Sequence, residues 1–179
     1  MQASKVARAL RGRPVGVVIS SDLPRALQTA TAIGEAVGVP ARADQRWREF
    51  NLGIFQGHTR DEILANFPQQ WHDFQADYWG YPIPNGESRR MLQARVYAAW
   101  QDVLASATGP EVVVVSHGGS LKMLLLKLFP DAADLGAAHL GNTSVTTLEC
   151  VDFGWRLASL ASVDHLVSLA SDESSEASL

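Results

Sequence analysis

The chain has 179 residues, of which 46% are hydrophobic and 19% charged, and a formal net charge of −4. These values fit one globular domain with a substantial core and leave no room for two domains of ordinary size. The negative balance argues against a general nucleic-acid binder, which needs a basic surface, and no stretch approaches the about 18 continuous apolar residues of a membrane span.

The chain opens in a helical pattern, with Val6, Ala7 and Leu10 on one face and Arg8 and Arg11 on the other. Gly12 and Pro14 end it. Val15 to Ile19 is a short continuous apolar run, as expected of a strand buried on both faces of a parallel sheet. Ser20-Ser21-Asp22 follows, and Ser21 or Asp22 is expected to cap a helix that has Pro24 in its first turn and stops at Gly38. Another short strand is expected within Val39 to Trp47.

Thr59-Arg60-Asp61-Glu62 matches a capping box, so a helix is predicted to start near residue 60. Phe67 to Pro84 is aromatic and irregular. Asn85-Gly86-Glu87-Ser88 then leads into a long helix over about residues 88–106, closed by Gly109-Pro110. Glu111 to Ser116 reads as a second buried strand, His117-Gly118-Gly119 as a turn, and Ser120 to Phe129 as a helix. Ser144 to Cys150 and Trp155 to Leu160 read as strands joined by a turn at Asp152-Phe153-Gly154. Beyond residue 166 the Ser, Glu and Asp composition predicts a disordered tail over 167–179. Buried strands alternating with helices predict a three-layer α/β sandwich with a mostly parallel central sheet. Ligands of such sheets bind outside the carboxyl ends of the strands.

The lone Cys150 excludes an internal disulfide framework and fits a reducing compartment; its apolar, alternating surroundings predict a buried, inert thiol. The N-terminus lacks the apolar core of a signal peptide, so a cytoplasmic protein is expected. Arginines are concentrated in the first fifty residues, among them Arg25, Arg46 and Arg48, while the end of the chain is acidic. That cluster is either a solvated surface or the face presented to a small anionic substrate.

Two strands end in polar turns, and these hold the candidate chemistry. His117 follows a strand, Gly118 and Gly119 allow close approach to the backbone, and the N–H groups entering the next helix favour an anion. A structural turn histidine is the plainer alternative. The oxyanion loop of an esterase would require a Gly-x-Ser-x-Gly elbow, which the sequence lacks. Arg25, in the first turn of its helix, can reach ligand oxygens in bidentate fashion or lie in solvent. Glu49, beside Arg48, is either a functional carboxylate or half of a surface pair.

In combination the segments say more. Ser20-Ser21-Asp22-Leu23-x-Arg25-Ala26, Arg48-Glu49-x-x-x-Gly53-x-x-x-Gly57, Asn85-Gly86-Glu87-Ser88 and Ser116-His117-Gly118-Gly119 occur in an order and spacing that resembles the histidine phosphatase family. That family includes phosphoglycerate mutases and many small phosphomonoesterases, and the resemblance runs from Gln2 to about Leu166. It implies metal-independent phosphomonoester hydrolysis through a phosphohistidine, with no cofactor and a small phosphorylated metabolite as substrate. It also implies roles. Arg25 and His117, with the Gly118 N–H, would bind the phosphoryl group, and Glu49 would be the general acid. Fixed positive charge and N–H donors around the phosphoryl oxygens are what such a transfer requires. The segment from Glu49 to His117 is short for the family's glycolytic mutases, which favours a phosphatase. The aromatic stretch Phe67 to Tyr81 would cover the pocket, or else be a surface packed on the sheet.

One feature departs from the pattern. The family's Arg-His-Gly, which carries the nucleophilic histidine and a first arginine, occurs nowhere in this sequence. In the family it ends a central strand ahead of the helix that opens this chain. Met1 is therefore expected to be an internal methionine of a longer natural protein; a shortened gene and a non-catalytic phosphate-binding or interaction protein are the alternatives. As given, the chain is expected to be inactive or nearly so. A sheet without its first central strand leaves open ladder edges, which predicts self-association, a homodimer among the possible forms.

Overall fold

The structure is a computed structural model describing residues 2–152 and 154–167. The predicted tail lies outside the described residues except for Val167, which closes a last helix, and Phe153 of the predicted turn lies outside them too. The elements are α1 (Gln2–Leu10), β1 (Val15–Ser20), α2 (Pro24–Val37), β2 (Ala41–Ala43), α3 (Arg60–Asn66), α4 (Pro68–Ala76), α5 (Arg89–Ser106), β3 (Glu111–Val115), α6 (Gly118–Leu128), β4 (Val145–Val151), β5 (Gly154–Ser162) and α7 (Asp164–Val167). Short 3-10 turns stand at Gln45–Trp47, Gly53–Phe55 and Ala133–Gly136.

The fold is α/β, with a parallel sheet of order β2-β1-β3 flanked by helices. Alternation along β3 divides its valines between two cores. Val113 and Val115 pack with Val15 and Val18 against Val6 and Ala7 of α1 and Ala30 and Ile33 of α2. Val112 and Val114 face Leu92, Val96 and Trp100 of α5 and Met123 and Leu124 of α6. The three-layer expectation thus has its two helical faces.

The antiparallel pair β4–β5 forms a separate two-stranded sheet. It lies level with the parallel sheet, because Val145 joins the α1/α2 core while Leu148 and Trp155 join the α5/α6 core. Trp155 meets Trp100 edge to face, ring centroids 5.0 Å apart. Among the described residues β3 pairs only with β1 and β4 only with β5. This corrects one expectation: β3 is half-buried along its length instead of buried, because one of its ladder edges has no strand beside it.

Other differences are local. Cys150 is exposed, one of the exposed residues 149–151 with which β4 ends at the turn of the β4–β5 hairpin. Neither Ser21 nor Asp22 caps α2. The cap position is Leu23, without a side-chain bond, because Ser21 and Asp22 are engaged at the site described below. The aromatic stretch contains a regular helix, α4, started by Pro68. Its Phe74 packs with Phe55, Ile63 and Ile83 in a satellite core, to which Phe67, Trp71 and Tyr81 add partly buried surface. The Thr59–Glu62 capping box forms as predicted.

Candidate active site

Parallel pairing brings the carboxyl ends of β1 and β3 to one edge of the sheet. Ser20 stands opposite Val115, and the Ser21 N–H donates to the Val115 carbonyl at 2.9 Å. The two polar turns, residues 20–22 and 116–119, are therefore neighbours. Ser21 is fully buried and His117 is 7% exposed, and His117 Nε2 lies 2.8 Å from Ser21 Oγ.

Accounting for the protons orients this bond. Ser21 Oγ already accepts from the Leu23 N–H at 3.2 Å, and among the described residues its own hydrogen has no other acceptor than His117. A hydroxyl with one donor to place gives it to Nε2 of the neutral ring, which leaves the proton on Nδ1. Burial lowers the pKa of His117, the positive charge of Arg25 lowers it further, and Glu49 opposes them. The neutral ring is the form that this pocket favours.

Glu49 lies on the first turn of α6. Its Oε2 accepts from the Gly119 N–H at 3.1 Å, and its Oε1 from the N–H groups of Ser120 at 3.2 Å and Phe50 at 2.8 Å. His117 is the cap residue of α6 but makes no side-chain cap bond. The helix, two residues longer at its start than predicted, is capped by a carboxylate from elsewhere in the chain, which the helix dipole favours. Gly119 leaves the space for it: a Cβ there would overlap Glu49 Oε1. The anion expected on these amides is thus the protein's own carboxylate at Gly119 and Ser120. The Gly118 N–H takes no partner among the described residues.

Arg25 stands exposed in the first turn of α2 and belongs to no ion pair among the described residues. Arg48 instead binds Asp22 through two bonds, Nε to Oδ1 at 2.7 Å and Nη2 to Oδ2 at 2.5 Å. The pairing holds the Asp22 carboxyl below its ordinary pKa. The surface pair in which Glu49 was one alternative thus belongs to Asp22, and Glu49 is left for α6. His117, Arg25, Glu49 and Asp22 are close enough for each of the other three to act on the His117 charge.

Sequence reasoning missed Arg95. Its Nε and Nη2 bind Glu87 at 2.9 and 2.6 Å, and its other N–H groups reach the carbonyls of Arg46, Arg48 and Glu49 at 2.8, 2.8 and 3.0 Å. The signal was present: an arginine beside Leu92, Val96 and Ala99, which are buried on the same helix. The Glu49 and Glu87 blocks are also joined directly. The Asn51 N–H donates to Glu87 Oε1 at 2.9 Å, and the Glu87 N–H to the Asn51 carbonyl at 3.0 Å. Gly53 and Gly86 stand where these backbones meet too closely for a Cβ on either.

A histidine, a carboxylate and an arginine with no ion-pair partner among the described residues thus stand at the carboxyl edge of the parallel sheet. Residues 1–163 match the model of the histidine phosphatase superfamily (branch 1), and the chain belongs to that family. It is 33% identical to the probable phosphoglycerate mutase GpmB of Yersinia pestis (strain Pestoides F), over 96% of this chain and 83% of that protein. Among solved structures it is similar to the mycobacterial glucosyl-3-phosphoglycerate phosphatase in complex with inorganic phosphate. That likeness has a TM-score of 0.75 and 34% identity, covering 92% of this chain and 85% of the other. It is also similar to YhfR of Bacillus stearothermophilus, with a TM-score of 0.78 and 27% identity, over 92% of this chain and 83% of that one. The family is one of phosphatases and phosphoglycerate mutase-like enzymes.

Proposed function

We propose that this chain carries the phosphate-binding and proton-donating part of a metal-independent phosphomonoesterase site. Arg25, His117 through Nδ1–H, and the Gly118 N–H hold the phosphoryl oxygens, and Glu49 is the general acid. The observation that carries the reading is the convergence of Arg25, Glu49 and the Ser21-bound His117 at one sheet edge. In the family reaction a histidine nitrogen bonds to phosphorus as the ester P–O bond breaks, and Glu49 gives its proton to the leaving alkoxide. Water then attacks phosphorus, the N–P bond breaks, and Glu49 takes up a proton from that water.

The attacking histidine is not His117, which is tied by Nε2 to Ser21 and serves the phosphoryl oxygens. His58 bonds its own loop at the Gln56 carbonyl. With no Arg-His-Gly in the sequence, the 179-residue chain by itself binds phosphate and turns over little or nothing. The ligands of the site are small phosphorylated metabolites. The similarity to a glucosyl-3-phosphoglycerate phosphatase and to a probable phosphoglycerate mutase favours sugar-acid phosphates among them.

The test combines calorimetric titration with inorganic phosphate and hydrolysis of p-nitrophenyl phosphate. Saturable phosphate binding, weakened by His117→Ala, with hydrolysis at the buffer background, is the expected result. Absence of binding, or rapid hydrolysis by the purified chain, overturns the reading.

A further inference from the structure

We infer that Arg95, held by Glu87, is the positioning residue that aims Glu49 into the site. The inference rests on the reading of Glu49 as the acid of that site. Arg95 has five N–H donors, and the structure uses all of them. Two go to the Glu87 carboxylate and three to one strip of backbone, the carbonyls of Arg46, Arg48 and Glu49. A planar guanidinium is the only side chain that can serve those five acceptors from one point.

The strip it holds has little regular structure of its own, a three-residue 3-10 turn ending at the buried Trp47. Yet it is fastened from both sides. Ser116 Oγ donates to the Trp47 carbonyl at 2.7 Å and Ser120 Oγ to the Arg48 carbonyl at 2.6 Å, both from the β3–α6 region. Arg95 grips it from α5. Glu87, 7% exposed, fixes Arg95 and takes the Asn51 N–H just beyond Glu49. The clamp therefore closes on the backbone immediately before and after Glu49 and on the carbonyl of Glu49 itself. Its product is the carboxylate placed on the Gly119 and Ser120 amides, beside His117.

A lysine cannot reproduce the fork, and either single charge deletion leaves a buried partner unpaired. The test is amide hydrogen exchange by NMR on the full chain, in wild type, Arg95→Lys and the double variant Arg95→Met/Glu87→Leu. The double variant removes both charges, so it separates positioning from general stability. In both variants the Gly119 and Ser120 amides are expected to exchange about tenfold faster relative to the Met123–Leu125 amides of the same helix. A uniform change along α6, or Gly119 and Ser120 protection restored in the double variant, overturns the inference and leaves Arg95 a purely structural residue. Phosphate is added to the wild type in the same experiment. If the Gly118 amide fails to respond, the functional reading falls while the positioning result stands on its own.

Discussion

His117 Nε2 and Ser21 Oγ lie 2.8 Å apart, a buried bond between residues 96 positions apart in sequence. It joins the two strand ends of the site and selects the ring tautomer, since the Ser21 proton has no other acceptor among the described residues. Ser21→Ala removes that selection. The expected result is a ¹⁵N spectrum in which His117 passes from a dominant Nδ1–H form to a mixture. Phosphate affinity should fall about tenfold, the scale of one misplaced buried hydrogen bond. An unchanged His117 spectrum in the variant would show that the ring is oriented by something else.

The same histidine makes stability depend on pH. Burial, followed by the charge of Arg25, lowers its pKa in the folded chain, so between that value and the unfolded value of about 6.5 the unfolded chain binds more protons. Stability is then full above the unfolded pKa and declines as pH falls through about 6.5 toward the folded value. Asp22, lowered by its bond to Arg48, acts in a separate window: its contribution is lost only as pH falls below about 4. Urea titrations between pH 8 and 5 are expected to show the first decline, and His117→Gln to flatten it. An equal slope in the variant would assign the decline to another group.

Much of this site was legible because its parts lie at the ends of regular elements. The apolar run Val15 to Ile19 and the four valines of β3 gave two strands, and strands of a parallel sheet end at a common edge. That alone marked the two polar turns as the place for chemistry, while the bond from Ser21 to His117 was not foreseen, Ser21 or Asp22 being expected to cap α2. The position of Glu49 was not legible in the same way. It depends on a strip of backbone with almost no periodicity, held by hydrogen bonds from Arg95, Ser116 and Ser120 that no local pattern announces. Of the two alternatives for Glu49, the surface pair with Arg48 is excluded because adjacency in sequence says little about direction; the guanidinium turns to Asp22, 26 residues earlier. The full burial expected of β3 failed for a tertiary reason, a ladder edge without a neighbour. The helix α4 was hidden because its side chains serve a small aromatic core of their own rather than the main one.

Of the arginines around the site, Arg25 has no carboxylate partner among the described residues whereas Arg48 and Arg95 are ion-paired, and this yields a contrast between substitutions. Arg25 has no carboxylate partner among the described residues and is exposed, so Arg25→Ala should leave the melting temperature almost unchanged. It should weaken phosphate binding about tenfold or more, the scale of a lost charge-assisted bond. Arg48→Ala should weaken binding less, and only by freeing the negative charge of Asp22 beside the pocket. Calorimetric titrations in which the two variants bind alike would remove Arg25 from the phosphate site.

Gly119 tests the seating of Glu49 from the opposite side. Its backbone needs no unusual torsion; what it lacks is a Cβ, and one added there would press on Glu49 Oε1. Gly119→Ala must push the carboxylate off the α6 amides or move the helix, a strain of about 1–3 kcal/mol. Glu49→Ala alone costs about 1 kcal/mol, as the loss of a helix cap. In the double variant the new methyl group has no carboxylate to meet, so the second substitution should cost much less than the first did alone. The measurement is a double-mutant cycle of unfolding free energies, where direct contact gives a coupling well above the few tenths of a kcal/mol of independent sites. Additive costs would mean that Gly119 is required by something other than the carboxylate of Glu49, and the close seating of that carboxylate on α6 would have to be given up.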